Sequence, residues 1–285
     1  MTKTTIQNIK NTIINKLYLV SICLLSITKL HSQEIITEAN YLKEDSILWS
    51  NFENQQNTLS QYWETMPDKR DSIQNIFDEI LEKASKTNIE LAIKYASVPS
   101  GLQRLYMTRL DISKDTLENI LNSLDTQIQQ SFYGKNIREH LQTKQIQEGD
   151  LIYNFPCVQI NGKEFDWNIT NSKQLLILYG GLGCMGKQGR EQLELLYNQT
   201  SRNDLLILVY WPCSSLEDLQ KLKEEYPSEY IFISDFKQDA SPMKIKYGAQ
   251  ATPTCFLTDK RHIVKVKCTG LHMEMFNQYI INRTK

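Results

Sequence analysis

Positive charge is not in excess in this sequence. Its 285 residues include 32 lysines and arginines against 33 aspartates and glutamates, a formal net charge of −1, so a nucleic acid partner has no electrostatic support. Cysteine is sparse, with 6 residues, which excludes a disulfide-dense framework. The 4 histidines are scattered, so no cysteine–histidine spacing predicts a metal site, and no motif predicts a cofactor. With 41% hydrophobic and 23% charged residues, the composition is typical of a globular protein.

Long apolar runs are also scarce. The run at residues 17–27 follows three lysines, and at about 11 residues it is too short to cross a bilayer as a helix. This pattern is typical of a signal peptide. We therefore predict a signal peptide over residues 1–32 with cleavage near Ser32, export to the periplasm or cell envelope, and a mature form that is not embedded in the membrane. Lipidation at Cys23 and a retained anchor are the alternatives.

Strand-like alternation is almost absent from residues 33–147, which hold 12 basic and 17 acidic residues. Apolar residues instead recur at helical spacing, in one stripe over residues 73–81 and in another over residues 117–128. Asp115, with Glu118 three residues later, resembles a capping box at the start of the second helix. This half holds no cysteine and no ligand cluster, and we predict an all-α helical domain without chemistry of its own.

The pattern changes at residue 148, where apolar runs begin to alternate with helical stretches. The sequence predicts three buried strands, followed by an antiparallel hairpin and a final helix. Strands that alternate with helices imply a parallel sheet, so we predict a compact α/β sandwich over residues 148–285. The predicted strands are residues 175–179, 205–210, 230–234, 254–257 and 263–268, and the predicted helices are residues 188–199, 215–225 and 272–282.

One glycine-rich segment, residues 180–187, follows a predicted strand and opens a predicted helix. Two chemistries use that geometry, and the first is a phosphate-binding loop, because residues 181–187 fit the spacing G-x-x-x-x-G-K. The next residue, however, is Gln188 rather than the serine or threonine that holds magnesium. The strand at residues 205–210 also lacks the aspartate of a second metal motif. We therefore predict no nucleotide partner.

The second chemistry is that of a reactive cysteine. Cys184 lies in the turn between strand and helix, where the helix dipole and free backbone N–H groups favour thiolate over thiol. Lys187, three residues later, adds a positive charge close by. We therefore predict that Cys184 is a catalytic nucleophile and that Lys187 stabilises its thiolate.

Further motifs accompany this cysteine in a fixed order. They are a segment with Gly149, Asp150, Phe155, Gly162 and Lys163, then Lys173, then Ala251-Thr252-Pro253-Thr254, and then Thr258-Asp259-Lys260. The region from about residue 149 to the end of the chain resembles the thioredoxin family, and within it the exported TlpA/ResA-like thiol–disulfide oxidoreductases. The resemblance implies a thioredoxin-like α/β sandwich. It also implies that Thr252 and Pro253 form a cis-proline loop, which faces the cysteine turn and pairs with the backbone of the substrate.

The sequence departs from that family at the redox motif. The family has Cys-x-x-Cys, whereas Lys187 stands here in place of the second, resolving cysteine. A dithiol releases its mixed disulfide when the second thiol attacks, so Cys184 has no resolving partner in its own motif. Cys213 follows the strand at residues 205–210 and is predicted at the same sheet edge, which makes it a candidate resolving thiol; a loop cysteine without a role is the alternative. We predict that the remaining thiols are structural: Cys157, Cys255 and Cys268.

Three functions are consistent with these residues. The first, which we favour, is an exported thiol–disulfide oxidoreductase that acts through Cys184 on a protein or small-thiol redox partner. The second is a thioredoxin-like module that has lost redox turnover and binds a protein or peptide. The third is a one-cysteine peroxidase, for which Arg190 is the only arginine close to Cys184 in the sequence. The reaction of Cys184 with a disulfide separates the first function from the second.

Overall fold

The computed structural model describes residues 35–280. These residues fall into two compact units, which divide after Gly101. The predicted signal peptide, with its cleavage near Ser32, lies outside the described residues. The helices of residues 102–142 belong to the same unit as the sheet, and the domain boundary expected between residues 147 and 148 stays a prediction.

Two long helices make up most of the first unit. They are α1 (Glu38–Thr65) and α2 (Arg70–Lys94), which pack against each other and are joined by the 3₁₀ turn Pro67–Lys69. Thr37 caps α1, because its hydroxyl accepts a hydrogen bond from Asn40 N at 3.2 Å. The helix predicted from the stripe at residues 73–81 is confirmed, since the stripe lies within α2.

Further helices precede the sheet. They are α3 (Pro99–Met107), α4 (Lys114–Ser123), α5 (Thr126–Gln129) and α6 (Phe132–Gln142). The prediction of one helix across residues 117–128 is wrong, because the backbone becomes extended at Leu124 between α4 and α5. Asp115 is also not the cap. That position belongs to Ser113, whose hydroxyl accepts a hydrogen bond from Thr116 N at 3.2 Å.

The second unit contains a six-stranded sheet. Its strands are β1 (Val158–Gln159), β2 (Gln174–Tyr179), β3 (Leu205–Tyr210), β4 (Ile231–Ser234), β5 (Thr254–Thr258) and β6 (Val264–Thr269). The helices that alternate with them are α7 (Gly186–Asn198), α8 (Leu216–Glu225), α9 (Pro242–Ile245) and α10 (Met273–Asn277). The spatial order is β1-β4-β3-β2-β5-β6, with β2, β3 and β4 parallel and the other pairs antiparallel. This is the predicted thioredoxin-like α/β sandwich, preceded in the chain by a helical region.

The central strands β2 and β3 position the candidate site. Every residue of both strands is buried, and their side chains alternate between two apolar clusters, so that Ile177 faces one cluster and Leu178 the other. Burial on both faces accounts for the continuous apolar runs in the sequence. The strands end in register at Tyr179 and Tyr210, whose rings stack with centroids 5.7 Å apart. The residues that follow the two strands therefore begin at the same edge of the sheet.

Within residues 35–280, no helix has both the length and the apolar character that a membrane crossing requires. Even α1, with 28 residues, carries charged side chains along its length. In the same described part of the chain, no group of three or more histidine, cysteine, aspartate or glutamate side chains is arranged to hold a metal ion.

Candidate functional site

The turn that carries Cys184 begins with two glycines directly after β2. Gly180 and Gly181 have φ angles of 60° and 87°, which glycine adopts without a steric penalty. A Cβ atom on Gly181 would lie 2.5 Å from Cβ of Pro253, and one on Gly180 would lie 3.1 Å from Cγ2 of Thr252. The two glycines therefore allow the cysteine turn to come into direct contact with the Thr252–Pro253 loop.

Cys184 lies two residues before α7, in a turn formed by residues 182–185. Met185 N closes this turn by donating a hydrogen bond to Gly181 O at 3.0 Å. The first turn of α7 has no side-chain cap and no acidic residue, and a helix N-terminus favours negative charge nearby. The thiol of Cys184 is free and the residue is exposed, so a disulfide in solution can reach it.

Thr252 is the side chain that contacts the thiol of Cys184. Oγ1 of Thr252 lies 3.5 Å from Sγ of Cys184, within hydrogen-bonding distance for sulfur, and either atom can donate. The Thr252–Pro253 peptide bond is cis, and Pro253 is buried whereas Thr252 is exposed. The structure thus brings together Cys184, Thr252 and Pro253 of the predicted site residues, and their chemical roles stay predictions.

Lys187 lies in the first turn of α7 and has a carboxylate as its partner. Its Nζ is 3.7 Å from Oε1 of Glu191, one helical turn further on, and 86% of its side chain is exposed. An exposed ion pair of this kind contributes little to stability. The expected stabilisation of Cys184 by Lys187 stays a prediction.

Cys213 follows β3 and is buried. Its single S–H lies within hydrogen-bonding distance of two acceptors, Ser215 O and Oγ of Ser234, both at 3.4 Å. Oγ of Ser234 donates to Trp211 O at 2.7 Å. Burial raises the pKa of Cys213, which keeps it a thiol at neutral pH. The hydrogen-bond partners of Cys213 differ from the partner of Cys184, and no disulfide joins the two. The resolving role of Cys213 stays a prediction.

Arg190 and Tyr226 hold the outer side of the cysteine turn. Nη1 of Arg190 donates a hydrogen bond to Leu182 O at 3.0 Å, and its guanidinium lies 5.6 Å from the centroid of the Tyr226 ring. A Cβ atom on Gly183 would lie 2.8 Å from the Tyr226 hydroxyl, so a larger residue before Cys184 would require the tyrosine side chain to shift. In the sequence, Arg190 is a candidate only for a peroxidase site, and Tyr226 carries no signal because it follows a separate helix, α8.

A surface groove of ≈ 410 Å³ lies beside the same turn. Leu182 and Lys187 border it on the side of the cysteine turn, and the segment after α8 borders it on the other. Its lining combines aromatic rings with acidic and basic side chains, among them Tyr197, Tyr230, Glu194 and Glu229. A client chain bound at Cys184 would find both apolar and charged contacts here.

Arg109 makes hydrogen bonds to the segment that precedes the Thr252–Pro253 loop. It is fully buried, its Nη1 donates to Oε1 of Gln250 at 2.7 Å, and its Nη2 donates to Lys244 O at 2.6 Å. Its guanidinium also lies 4.0 Å from the ring centroid of Tyr106. The sequence carries no signal for this position, since a single arginine in a helical segment is ordinarily a surface residue.

No family model matches this chain, and no curated protein matches it by sequence. Among solved structures, it is similar to the thioredoxin domain of a thiol-disulfide oxidoreductase from Bacteroides vulgatus, with 19% identity, a TM-score of 0.41, and coverage of 47% of this chain and 95% of that one. A thiol-disulfide oxidoreductase from Bacteroides fragilis has 13% identity, a TM-score of 0.39, and coverage of 46% and 98%. A thiol-disulfide isomerase from Corynebacterium glutamicum has 15% identity, a TM-score of 0.40, and coverage of 46% and 96%. At these identities the likeness concerns the fold alone.

Proposed function

We propose that this protein is a thiol–disulfide exchange protein whose reacting atom is Sγ of Cys184. The observation that carries the proposal is an exposed, free thiol in a turn before α7, 3.5 Å from Oγ1 of Thr252. A free, exposed cysteine at such a position is accessible to disulfides in solution. The exposed Thr252 lies beside it and is the residue that holds the client chain.

The exchange step conserves atoms and electrons. The Cys184 thiolate attacks one sulfur of a client disulfide, a bond forms between that sulfur and Sγ of Cys184, and the client disulfide breaks. The second client sulfur leaves as a thiolate and takes a proton from water. A small thiol, or a second cysteine of the client, then attacks the mixed disulfide and regenerates Cys184. We favour this external route over Cys213, whose thiol is buried and hydrogen-bonded to Ser234.

One observation favours a second function, which is a module that binds a protein or peptide without redox turnover. The position of the resolving cysteine holds Lys187, and Lys187 pairs with Glu191. Such a module would use the groove beside α7 and would have no requirement for a reactive thiol at Cys184.

The test uses the full chain with oxidised glutathione, followed by non-reducing tryptic peptide mapping. We expect glutathione on the peptide of residues 174–187, which contains Cys184 and no other cysteine, and none on that peptide in Cys184→Ser. Thr252→Ala should slow the reaction, whereas Thr258→Ala, at the far end of β5, should leave its rate unchanged. An unmodified Cys184 in folded protein would contradict the proposal and favour the binding module.

The exported location is a separate part of the proposal and rests on residues 1–32 alone. We expect mass spectrometry of the protein from cells to find a mature N-terminus near Gln33. An intact Met1 in a cytosolic fraction would contradict it.

A further inference from the structure

Two cysteines outside the candidate site lie directly opposite each other in the sheet. Cys255 on β5 pairs in register with Cys268 on β6; Cys255 belongs to an apolar cluster on one face of the sheet, and Cys268 packs against that cluster. Gly270 N donates to Pro253 O at 2.8 Å, so these two residues form a hydrogen-bonded pair of the ladder. Because hydrogen-bonded and non-hydrogen-bonded pairs alternate along antiparallel strands, Cys255 and Cys268, two residues further along, form another hydrogen-bonded pair. In such a pair the Cα atoms are about 5.5 Å apart, which lies within the range that a disulfide spans.

The two thiols lie opposite each other on neighbouring strands but differ in exposure. Cys255 is fully buried, whereas Cys268 is only half-buried and its thiol donates to Gly270 O at 3.7 Å. The neighbouring Cys255 thiol lowers the pKa of Cys268 to about 7, with His272 acting in the same direction and burial and Glu148 opposing it. The Cys268 thiol, together with burial, raises the pKa of Cys255. Cys268 is therefore the accessible nucleophile, and Cys255 is the thiol held behind it.

We propose that Cys255 and Cys268 form a second redox centre, a cross-strand dithiol that low-molecular-weight disulfides oxidise to a disulfide. The centre is independent of Cys184, because it needs neither the glycine turn nor a partner protein. In this centre, strand pairing places a second thiol beside the first, whereas the Cys184 motif has no second thiol.

The oxidation proceeds in two balanced exchange steps. The Cys268 thiolate first attacks one sulfur of oxidised glutathione, a mixed disulfide forms, and one glutathione leaves as a thiolate that takes a proton. Cys255 then attacks Sγ of Cys268, and its proton passes to the sulfur of the departing glutathione. The mixed disulfide breaks, a second glutathione leaves, and the Cys255–Cys268 disulfide forms. Two electrons pass from the dithiol to glutathione disulfide, which becomes two glutathione thiols.

This centre lies close to the Thr252–Pro253 loop, which is beside Cys184. Cys255 is two residues after Pro253, and it pairs with Leu178 on β2 near the start of the cysteine turn. The backbone hydrogen bond from Gly270 to Pro253 lies two pairs further along the same ladder. Oxidation would therefore join β5 to β6 covalently directly behind the Thr252–Pro253 loop.

Tryptic peptide mapping of the full chain under non-reducing conditions tests the proposal. Cys255 and Cys268 fall in separate peptides, residues 247–260 and 268–283, and neither peptide contains another cysteine. After equilibration with oxidised glutathione, we expect these two peptides to be linked and to separate again in dithiothreitol. The same link should form in Cys184→Ser, which separates this result from the proposed function.

Two variants test whether Cys268 attacks first and Cys255 second. Cys255→Ala should accumulate glutathione on Cys268, because no thiol remains to release it. Cys268→Ser should leave Cys255 unmodified, because Cys255 is buried. Native circular dichroism of each variant shows that it has folded. Unlinked peptides in the oxidised wild type, whether they carry free thiols or a stable glutathione on Cys268, would overturn the proposal.

Discussion

Two cysteine sites flank the Thr252–Pro253 loop, and they are built in opposite ways. At the first, Cys184 is exposed on a turn, and the residue three positions later is Lys187 rather than a thiol. At the second, Cys268 is half-buried in a strand, and its partner Cys255 lies opposite on the neighbouring strand. The Cys184 thiol is therefore accessible but has no second thiol in its motif, whereas Cys268 has a second thiol opposite it but is less accessible.

The difference shows what each kind of backbone can supply. A turn exposes a side chain and depends on glycine, since only glycine tolerates both the positive φ of residue 181 and its contact with Pro253. A β-ladder instead fixes the distance between two opposed side chains. The turn suits exchange with a large client, whereas the ladder suits an internal disulfide.

The largest expected effect comes from breaking the first site at Gly181. In Gly181→Ala, the added Cβ would lie 2.4 Å from Pro253 N, so the Pro253 loop must move. A positive φ by itself costs about 1–2 kcal/mol outside glycine, and we expect a total loss of about 3 kcal/mol or more from the free energy of unfolding. Urea unfolding measures it, and iodoacetamide labelling reports the exposure of Cys184.

Gly149→Ala is the matched control for Gly181→Ala. Gly149 has a φ of 89°, but nothing lies within 4 Å of an added Cβ. We expect a loss of only about 1–2 kcal/mol and an unchanged labelling rate at Cys184. Equal losses in the two variants would show that the contact with Pro253 does not constrain the turn.

The fold could be predicted closely where both faces of a strand are buried. The predicted strand at residues 205–210 coincides with β3, and the prediction for β2 differs by one residue, because a continuous apolar run marks such a strand at both ends. Helix ends were harder to predict. The apolar stripe continues past Leu124, yet the backbone becomes extended at Leu124 and a new helix starts after Asp125.

The candidate site could be predicted from the Cys184 turn and from the resemblance that places Thr252 and Pro253 against that turn, but the second cysteine site could not. Cys184 was found from its turn, but the pairing of Cys255 with Cys268 depends on a register shift between Leu257 and Thr258. Thr258 pairs with Val264, and without the shift Cys255 would lie opposite a lysine. A bulge of this kind has no sequence signature strong enough to place it.

The next largest effect should come from giving the first site the second thiol that the other site has. In Lys187→Cys, a thiol within the protein replaces an external thiol in attacking the mixed disulfide at Cys184. A positioned group in the same molecule reacts as if its concentration were far higher than that of an external reagent. We expect the reduction of insulin by dithiothreitol to accelerate by on the order of a hundredfold. Gln188→Cys, one residue away on the same exposed helix start, should give no acceleration. The absence of any gain in Lys187→Cys would favour the binding module.

A smaller effect, about tenfold, should distinguish the thiols by pH. Because the pKa of Cys268 is lowered to about 7, its thiolate fraction, and with it the rate of labelling by iodoacetamide, should rise about tenfold between pH 6 and pH 8. Burial raises the pKa of Cys157 to about 12, so Cys157 should stay unlabelled over the same interval. Mass spectrometry of the separate peptides measures both rates.

Substitution of Cys255 identifies the cause of that pH dependence. Cys255→Ser keeps a hydroxyl that can donate to the thiolate, so the midpoint for Cys268 should stay near pH 7. Cys255→Ala removes the donor, so the midpoint should move upwards towards the ordinary thiol value. The groups that face Cys268 from other segments, His272 and Glu148, are the same in both variants. Identical midpoints would show that Cys255 is not the source of the shift.

The smallest effect concerns Lys187 as the neighbour of Cys184. The side chain of Lys187 is exposed and paired with Glu191, and exposed charges are screened by water and salt. In Lys187→Met, we expect labelling of Cys184 by iodoacetamide at pH 7 to slow by only about twofold. Glu191→Gln should accelerate it slightly, because the ammonium group then loses its competing carboxylate. A slowing of tenfold or more in Lys187→Met would mean that Lys187 leaves Glu191 and sits against the thiolate. In that case Lys187 would provide a fixed positive charge beside Cys184, at the position where a resolving cysteine would otherwise stand.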